Sequence, residues 1–202
     1  MQRRPERADA TRNRQSILRA AEELLNSHGP EHISMEQVAI AAGVSKGTVF
    51  HRFGSRVGLL HALMEERAAA LEEAVAAGPP PLGPGAPASE RLVAFLDALI
   101  ELASRNVGLI AAHDHAVASK DGSPRQTHPL YQLWHRHLAA LIEEDRPDLD
   151  SETLAHVLLG CLHSDLIAFM IRSGDLGRLT AALHEVASGV LGGPRGGQGS
   201  AG

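Results

Sequence analysis

Apolar residues near the start of the chain recur at helical spacing. Within residues 17–25 they lie three or four positions apart, which places them on one face of a helix, and Gly29 follows as a C-terminal cap. Shorter apolar clusters occupy residues 34–53, and an Ala-, Leu- and Glu-rich stretch covers 55–77. The pattern predicts one helix from about Thr11, then two short helices and a long fourth one.

The rest of the chain continues with the same period. The Gly- and Pro-rich stretch 78–88 is read as a loop inside a helical body, which is more economical than an interdomain hinge. Breaker residues then delimit predicted helices near 89–105, 107–119, 128–145, 151–173 and 176–191. Hydrophobic residues make up 44% of the chain but aromatic residues only 3%, which favours packed helices over sheets. The prediction is an all-α fold.

The two ends of the chain depart from this pattern. Residues 1–10 are basic and polar without apolar periodicity, which predicts a flexible basic arm. Residues 192–202 are rich in glycine, which predicts a disordered tail.

Two helix-cap signals surround a glycine between the short helices. Ser34 is followed three residues later by Gln37, as in a capping box. Ser45 is a second N-cap only two residues after Gly43, which permits a positive φ and a sharp change of direction. The second short helix must therefore leave the first at a steep angle, which is helix-turn-helix geometry.

The outward side of the second short helix carries small and polar residues. Lys46, Gly47, Thr48 and His51 lie opposite the apolar anchors of the helix, and such a face fits the major groove of DNA. Gly47 costs about 1 kcal/mol relative to Ala inside a helix. Its presence indicates either the close approach of a phosphate or base edge, or simply a tight N-terminal turn.

Charge is distributed unevenly along the chain. The formal net charge is −5, yet residues 1–60 carry nine Lys and Arg against six Asp and Glu. Residues 61–202 carry ten against eighteen. The basic N-terminal part is therefore the candidate nucleic-acid face.

The string from Ile33 to Leu60, with its Ala-Gly-Val-Ser turn and short following helix, resembles the TetR family of bacterial regulators over about residues 11–61. The resemblance implies that Lys46 and Thr48 reach base edges or nearby phosphates. The full set of residues implied or suggested to contact DNA is Arg12, Arg14, Ser34, Ser45, Lys46, Gly47, Thr48, His51, Arg52 and Arg56. Many family members carry Tyr in place of His51 and His in place of Arg52.

The same resemblance implies a domain plan and a function. It places a three-helix helix-turn-helix DNA-binding domain over 11–54 and a helical effector-binding and dimerisation domain over 55–191. The implied protein is a homodimeric transcriptional regulator, a repressor released from a palindromic operator on double-stranded DNA by a small-molecule effector. The candidate pocket residues are Phe95, Leu99, Leu102, Ile110, His113, Tyr131, Trp134, His163 and Phe169. The candidate dimer residues are Leu158, Leu162, Ile171, Leu183, Val186 and Val190.

Twelve histidines raise the alternative of a helical metal-binding protein or metalloenzyme. The pairs His113/His115 and His135/His137 are spaced by two, so their side chains point about 200° apart on a helix, unlike an i, i+4 pair that grips one metal. Dispersed core or surface histidines are the favoured interpretation, with pH sensing as a further option. We assign no metal or cofactor. No catalytic triad order, phosphate loop or paired cysteine motif indicates an enzyme.

The sequence also bears on the compartment. Cys161 is the only cysteine, and the first fifteen residues lack the apolar core of a signal peptide. The longest apolar stretch, 154–171, is interrupted by polar residues and glycine, so no membrane span is expected. These features predict a cytoplasmic protein.

Overall fold

The computed structural model describes residues 3–29, 32–117, 129–162, 169–171 and 173–192, and within them the side chains of 11–29, 32–106 and all those from 129 onward. The helices are α1 (Arg3–His28), α2 (Met35–Ala41), α3 (Lys46–Phe53), α4 (Arg56–Ala77), α5 (Ala88–Val117), α6 (Pro129–Asp145), α7 (Ser151–Cys161) and α8 (Leu176–Gly192). The described part of the chain contains no strand. The all-α prediction is confirmed.

The chain divides into two compact units, each with its own apolar core. The first comprises Met1–Arg67 and Gly108–Asp121, and the second comprises Ala68–Val107 and Gly122–Gly202. The first unit extends past the predicted boundary at residue 54 because the start of α4 contributes Leu59, Ala62 and Leu63 to its core.

The core of the first unit joins its helices through their apolar faces. From α1 come Ile17 and Ala21, which are fully buried, and from α2 comes Val38, also fully buried. Val49 and Phe53 add the inner side of α3. Burial of these side chains supplies the main stabilisation of three helices that are too short or too polar to be stable alone.

The start of α1 was predicted incorrectly. The helix begins at Arg3 and not near Thr11, so residues 3–10 are helical in place of the expected flexible arm. Arg, Glu and Ala have high helix propensity, and a helix extends through such residues without an apolar stripe once its downstream part is anchored.

The break predicted between two helices near residue 106 does not occur. Helix α5 runs without interruption from Ala88 to Val117. Within the stretch, the Ser104 hydroxyl donates to the Glu101 carbonyl at 2.8 Å, and Arg105 forms an i, i+4 ion pair with the Glu101 carboxylate at 2.7 Å. The ion pair stabilises the helix here and offsets part of the lower helix propensity of Ser and Asn in this turn.

Helix α7 is shorter than the predicted 151–173. It ends at Cys161, and the backbone N–H of Leu162 bonds back to carbonyls at the end of the helix. Gly160 lies one residue before the end, where its lack of a side chain lowers helix stability.

The second unit is built around the long inner face of α5. Leu92, Phe95 and Leu96 are almost fully buried, and they pack in one cluster with residues of α6, α7 and α8. Asp150 caps α7 by accepting from the Thr153 N–H at 3.0 Å, and this hydrogen bond lowers the pKa of the Asp150 carboxyl. Among the helices that the structure describes, none combines the length and apolarity needed to cross a membrane.

The buried side chain of Arg146 ties the end of α6 to the end of α8. Its Nε and Nη2 donate to the two carboxylate oxygens of Asp148, each at 2.8 Å. Its Nη1 donates to the Val190 carbonyl at 2.9 Å. The guanidinium thereby satisfies a carbonyl in the last turn of α8 that has no partner within the helix.

Candidate nucleic-acid interface

The capping box predicted at the start of α2 is present. The Ser34 Oγ accepts from the Gln37 N–H at 3.1 Å, and the Gln37 Oε1 accepts from the Ser34 N–H at 2.9 Å. Two N–H groups that would lack intrahelical partners are thus satisfied. The start of α2 is fixed by side chains three residues apart.

The turn into α3 has the predicted glycine and cap. Gly43 has φ +67°, the left-handed region that glycine enters without steric cost. The Ser45 Oγ accepts from the Thr48 N–H at 3.1 Å and shares a second hydrogen bond with the Thr48 hydroxyl at 2.8 Å. Both hydroxyls are therefore engaged in holding the first turn of α3.

Helix α3 has one buried side and one exposed side. Val49 is fully buried and Phe53 is 8% exposed, as predicted for the anchors of the helix. The remaining residues present themselves to solvent: Lys46, Gly47, Phe50, His51 and Arg52 are exposed and Thr48 is half-buried. An exposed polar face on a helix anchored from behind has the form needed to enter a major groove.

No steric contact within the described chain requires a glycine at residue 47. A Cβ built at this residue would meet only the Ser45 Oγ, at 3.8 Å, which is an ordinary van der Waals contact. The chain itself therefore leaves room for a side chain here. This favours the first of the two interpretations given above, in which the space over Gly47 admits a group from another molecule.

Lys46 and Arg14, both predicted to contact DNA, have partners within the protein. The Lys46 Nζ donates to the Glu36 Oε2 at 3.1 Å, across the turn between α2 and α3. The Arg14 guanidinium lies over the Phe53 ring, 5.4 Å from its centroid, in a cation–π contact. The sequence pattern contained no signal for either pairing, since the partners are ten and thirty-nine residues apart.

Three further predicted DNA-contacting residues lie outside α3. Arg12 is exposed on α1, Ser34 is exposed at the cap of α2, and Arg56 is half-buried as the first residue of α4. The sequence pattern did not indicate two large exposed apolar side chains, one on α2 and one on α3. Ile40 is 76% exposed on α2 and Phe50 is 43% exposed on α3.

The predicted effector-pocket residues that the structure describes differ in burial. Phe95 and Leu99 are buried core residues, while Leu102, Tyr131 and Trp134 are half-buried. Phe169 is 59% exposed and does not wall an enclosed pocket, because its side chain faces solvent. The side chains of Ile110, His113 and His163 lie outside the described residues.

The described part of the second unit contains at least two cavities. One, of about 360 Å³, is lined by Tyr131, Gln132, His135, Arg136 and His156. The other is a groove of about 650 Å³ along the first turns of α5 and the end of α8, and it includes Glu90, Asp97 and Asp145.

Two ring nitrogens on α6 are buried without a hydrogen-bond partner. These are Trp134 Nε1 and His137 Nε2, three residues apart on one face of the helix. The His137 ring packs edge-on against Phe95 at 4.7 Å between centroids. Burial, together with the positive charge of Arg91, lowers the pKa of His137, so its ring is neutral at physiological pH.

Two other histidines of the second unit form hydrogen bonds within the protein. His135 Nε2 donates to the Glu152 carbonyl at 3.0 Å, and His156 Nδ1 shares a hydrogen bond with the Tyr131 hydroxyl at 2.7 Å. Within the residues described, no group of three or more His, Cys, Asp or Glu side chains could hold a metal ion.

Half of the predicted dimer residues are buried in the protomer itself. Leu158, Leu162 and Leu183 are at most 9% exposed and belong to the core of the second unit. This corrects their assignment, because the regular apolar stripe of each helix faces its own core. Ile171 and Val190 are half-buried, and Val186 is 45% exposed.

Comparison with known proteins gives a family match within the first unit. Residues 17–63 match the family model described as bacterial regulatory proteins, tetR family. The HTH-type transcriptional repressor AcnR of Corynebacterium glutamicum is 38% identical over 65 residues. That match covers 32% of this chain and 35% of AcnR, so it spans about a third of the relative.

Solved structures extend the likeness to the whole fold. A TetR-family transcriptional regulator from Pectobacterium atrosepticum has a TM-score of 0.70 at 22% identity, covering 94% of this chain and 99% of that one. A TetR transcriptional regulator from Streptomyces coelicolor has a TM-score of 0.61 at 26% identity, with coverages of 88% and 98%. The fold is therefore the one that these solved structures share, and residues 17–63 match the tetR family of bacterial regulatory proteins.

Proposed function

We propose that this protein is a homodimeric transcriptional repressor that binds a palindromic operator through α3 and releases it when a small-molecule effector binds the second unit. The observation that carries the proposal is the exposed face of α3, held from behind by Val49 and Phe53 and at its start by the Ser45 cap. The matched relative AcnR is named a repressor, which supports the direction of the regulation.

The charge and shape of this face support binding to double-stranded DNA. Lys46, His51 and Arg52 supply donors or positive charge from α3, and Gly47 leaves space for close approach. Phosphate contacts would give salt-dependent affinity, and base-edge contacts from Lys46 and Thr48 would give selectivity. A symmetric dimer presents two such helices to successive major grooves about 34–36 Å apart, which requires a palindromic site.

Exposed apolar side chains support dimerisation through α7 and α8. Val157 is 52% exposed on α7 and Val186 is 45% exposed on α8. Each has an exposed glycine three residues further along its helix, Gly160 and Gly189, where an added Cβ would meet open space. Apolar and small residues on an outer helix face permit close packing against a second copy.

We place the effector between α5 and α6, around Trp134 and His137. The two unpartnered ring nitrogens of these residues support this location, since buried polar atoms without a partner are rare in native proteins. A ligand carrying hydrogen-bond acceptors would satisfy the Trp134 N–H. Trp134 is the only tryptophan, so its fluorescence would report occupation directly.

We further infer that the protein acts in the cytoplasm, where its DNA target resides, and that it has no enzymatic activity. The comparisons support this through the regulatory proteins that the chain resembles.

Selection of duplexes from a randomised pool, followed by fluorescence anisotropy, tests the DNA-binding function. We expect a palindromic site to be recovered and bound far more tightly than its scrambled form, with affinity that falls as salt rises. The variant Lys46→Ala should lose about 1–3 kcal/mol on the selected site while keeping its helix content and dimerisation. A folded dimer that selects no duplex contradicts the proposal, and stoichiometric bound metal would then favour the alternative of a metal-binding protein.

A further inference from the structure

We propose that Glu36 is a specificity-determining residue that holds Lys46 and suppresses binding to DNA of the wrong sequence. The inference rests on the proposed DNA-binding function. The pair joins Lys46, the first residue of α3, to Glu36 in the first turn of α2, with 3.1 Å between the Lys46 Nζ and the Glu36 Oε2. Nothing in the sequence pattern or the comparisons assigns a role to Glu36.

The placement of the two charges is fixed by the helices that carry them. Helix α2 is held by the Ser34 capping box and by its fully buried Val38. Helix α3 is held by the Ser45 cap and by its fully buried Val49. A carboxylate at this position therefore stays within reach of the Lys46 ammonium even when the side chains move.

Both side chains lie on the outer surface of the helix-turn-helix. The Lys46 side chain is 56% exposed and the Glu36 side chain is 65% exposed. An ion pair this exposed adds little to the stability of the fold, because water screens the attraction. The ion pair instead changes the charge of the surface that is proposed to face DNA.

Glu36 is the only carboxylate in the sequence of α2 and α3, and Lys46 is one of only two lysines in the chain. The only carboxylate of these two helices therefore lies beside their only lysine. Paired with Glu36, the ammonium contributes no net charge toward a phosphate, and the carboxylate repels phosphates of any sequence. Both effects weaken sequence-independent binding.

The pairing leaves sequence-specific binding possible. The Lys46 ammonium has three N–H donors, and one donates to Glu36, so two remain for acceptors such as guanine O6 and N7. The bond to Glu36 also restricts the directions in which those donors point. Glu36 weakens binding to every DNA sequence, whereas the hydrogen bonds from Lys46 to a base form only at the correct site. Together these effects increase the difference in affinity between specific and random DNA.

The test measures binding to two labelled duplexes, the selected operator and a random-sequence duplex of the same length, at several salt concentrations. The variants are Glu36→Gln, Glu36→Asp, Lys46→Met and the double variant Glu36→Gln/Lys46→Met. Glu65→Gln is the matched control, because it removes a similarly exposed carboxylate from α4 in the same unit. Circular dichroism establishes that each variant is folded.

We expect Glu36→Gln to bind the random duplex about three- to tenfold more tightly, with a log–log salt slope steeper by about 0.9, because one more cation contacts phosphate. The ratio of specific to random affinity should fall by a similar factor. Glu36→Asp keeps the negative charge and should stay within about twofold of the wild type, as should Glu65→Gln. The salt slopes of Lys46→Met and of the double variant should be equal, because neither variant has a lysine at residue 46 that removal of Glu36 could free to contact phosphate.

Equal effects of Glu36→Gln and Glu65→Gln would overturn the inference, since only total charge would then matter. A loss of affinity for both duplexes in Glu36→Gln would also overturn it. In either case the wild type still binds DNA, so the proposed function stands. A wild type that binds neither duplex contradicts the function itself and this inference with it.

Discussion

Arg67 forms a two-point ion pair with Glu22 that joins α4 to α1 within the first unit. Its Nε and Nη2 donate to the two carboxylate oxygens of Glu22 at 3.0 and 2.9 Å. The Arg67 side chain is only 9% exposed, so the pair is shielded from water on one side. Such fork-to-fork geometry fixes both the distance and the orientation of the two helices.

Loss of this pair should destabilise the first unit. In Arg67→Met the Glu22 carboxylate stays partly buried without its arginine, and we expect a loss of about 1–3 kcal/mol in the free energy of unfolding. Urea denaturation followed by circular dichroism measures the change. Arg105→Met is the matched control, because it removes an exposed i, i+4 pair with Glu101 and should cost below about 0.5 kcal/mol. Equal losses in the two variants would contradict the role given to Glu22.

The exposed apolar face of α8 leads to a prediction about dimerisation. Val186→Asp places a charge on the face proposed to meet a second copy, and burying an unpaired carboxylate there is unfavourable. We expect the dimer to weaken by at least about tenfold, with a folded monomer appearing in sedimentation velocity. Val57→Asp makes the same change at a valine that is 41% exposed in the first unit, and the dimer should persist.

Monomeric wild-type protein at micromolar concentration would contradict the dimer proposal. A dimer that survives both Val186→Asp and Val157→Asp would instead show that copies associate through another surface. These outcomes separate the existence of the dimer from the assignment of its face.

The sequence predicted the local features of the first unit well, because short-range chemistry determines them. The Ser34 and Ser45 caps and the Gly43 turn each depend on residues within about three positions of one another. The contacts that it could not predict join distant residues. The pairs of Lys46 with Glu36 and of Arg14 with Phe53 arise only when helices pack, and no spacing rule indicates them.

In the second unit, the helical spacing of apolar residues was predicted, but not whether each residue packs in its own core or is exposed to a partner. Leu158 and Leu183 follow the helical period, yet they face their own core. Val157 and Val186 each lie beside or near these residues but point outward. Only the direction of each side chain in the folded chain distinguishes a core position from one available to a partner.

The buried ring of His137 predicts a sensitivity to acid. Burial and the charge of Arg91 lower its pKa in the folded state, whereas the unfolded chain restores the ordinary value near 6.5. Between the lowered folded value and the unfolded value, the unfolded state binds more protons, so stability falls as pH decreases through this window. Above the unfolded pKa the His137 contribution is constant.

Replacement of His137 by Gln should remove this part of the pH dependence. We expect the difference in unfolding free energy between pH 7.5 and pH 5 to be smaller in His137→Gln than in the wild type. Chemical denaturation at the two pH values measures it, and His51→Gln, at an exposed position of α3, serves as the control. An unchanged difference would show that the ring is protonated without penalty and that its surroundings are wetter than the structure indicates.

Substitutions at Gly47 and Gly43 should separate effects on stability from effects on DNA binding. Gly47→Ala should stabilise α3 by up to about 1 kcal/mol, because Ala favours helix and its Cβ meets only Ser45 Oγ at 3.8 Å. The same methyl should weaken operator binding at least about tenfold by keeping DNA away from the helix. Gly43→Ala, at φ +67°, should instead destabilise the unit by about 1 kcal/mol. Thermal denaturation and anisotropy distinguish the two, and full operator affinity in Gly47→Ala would contradict a close approach of DNA at this residue.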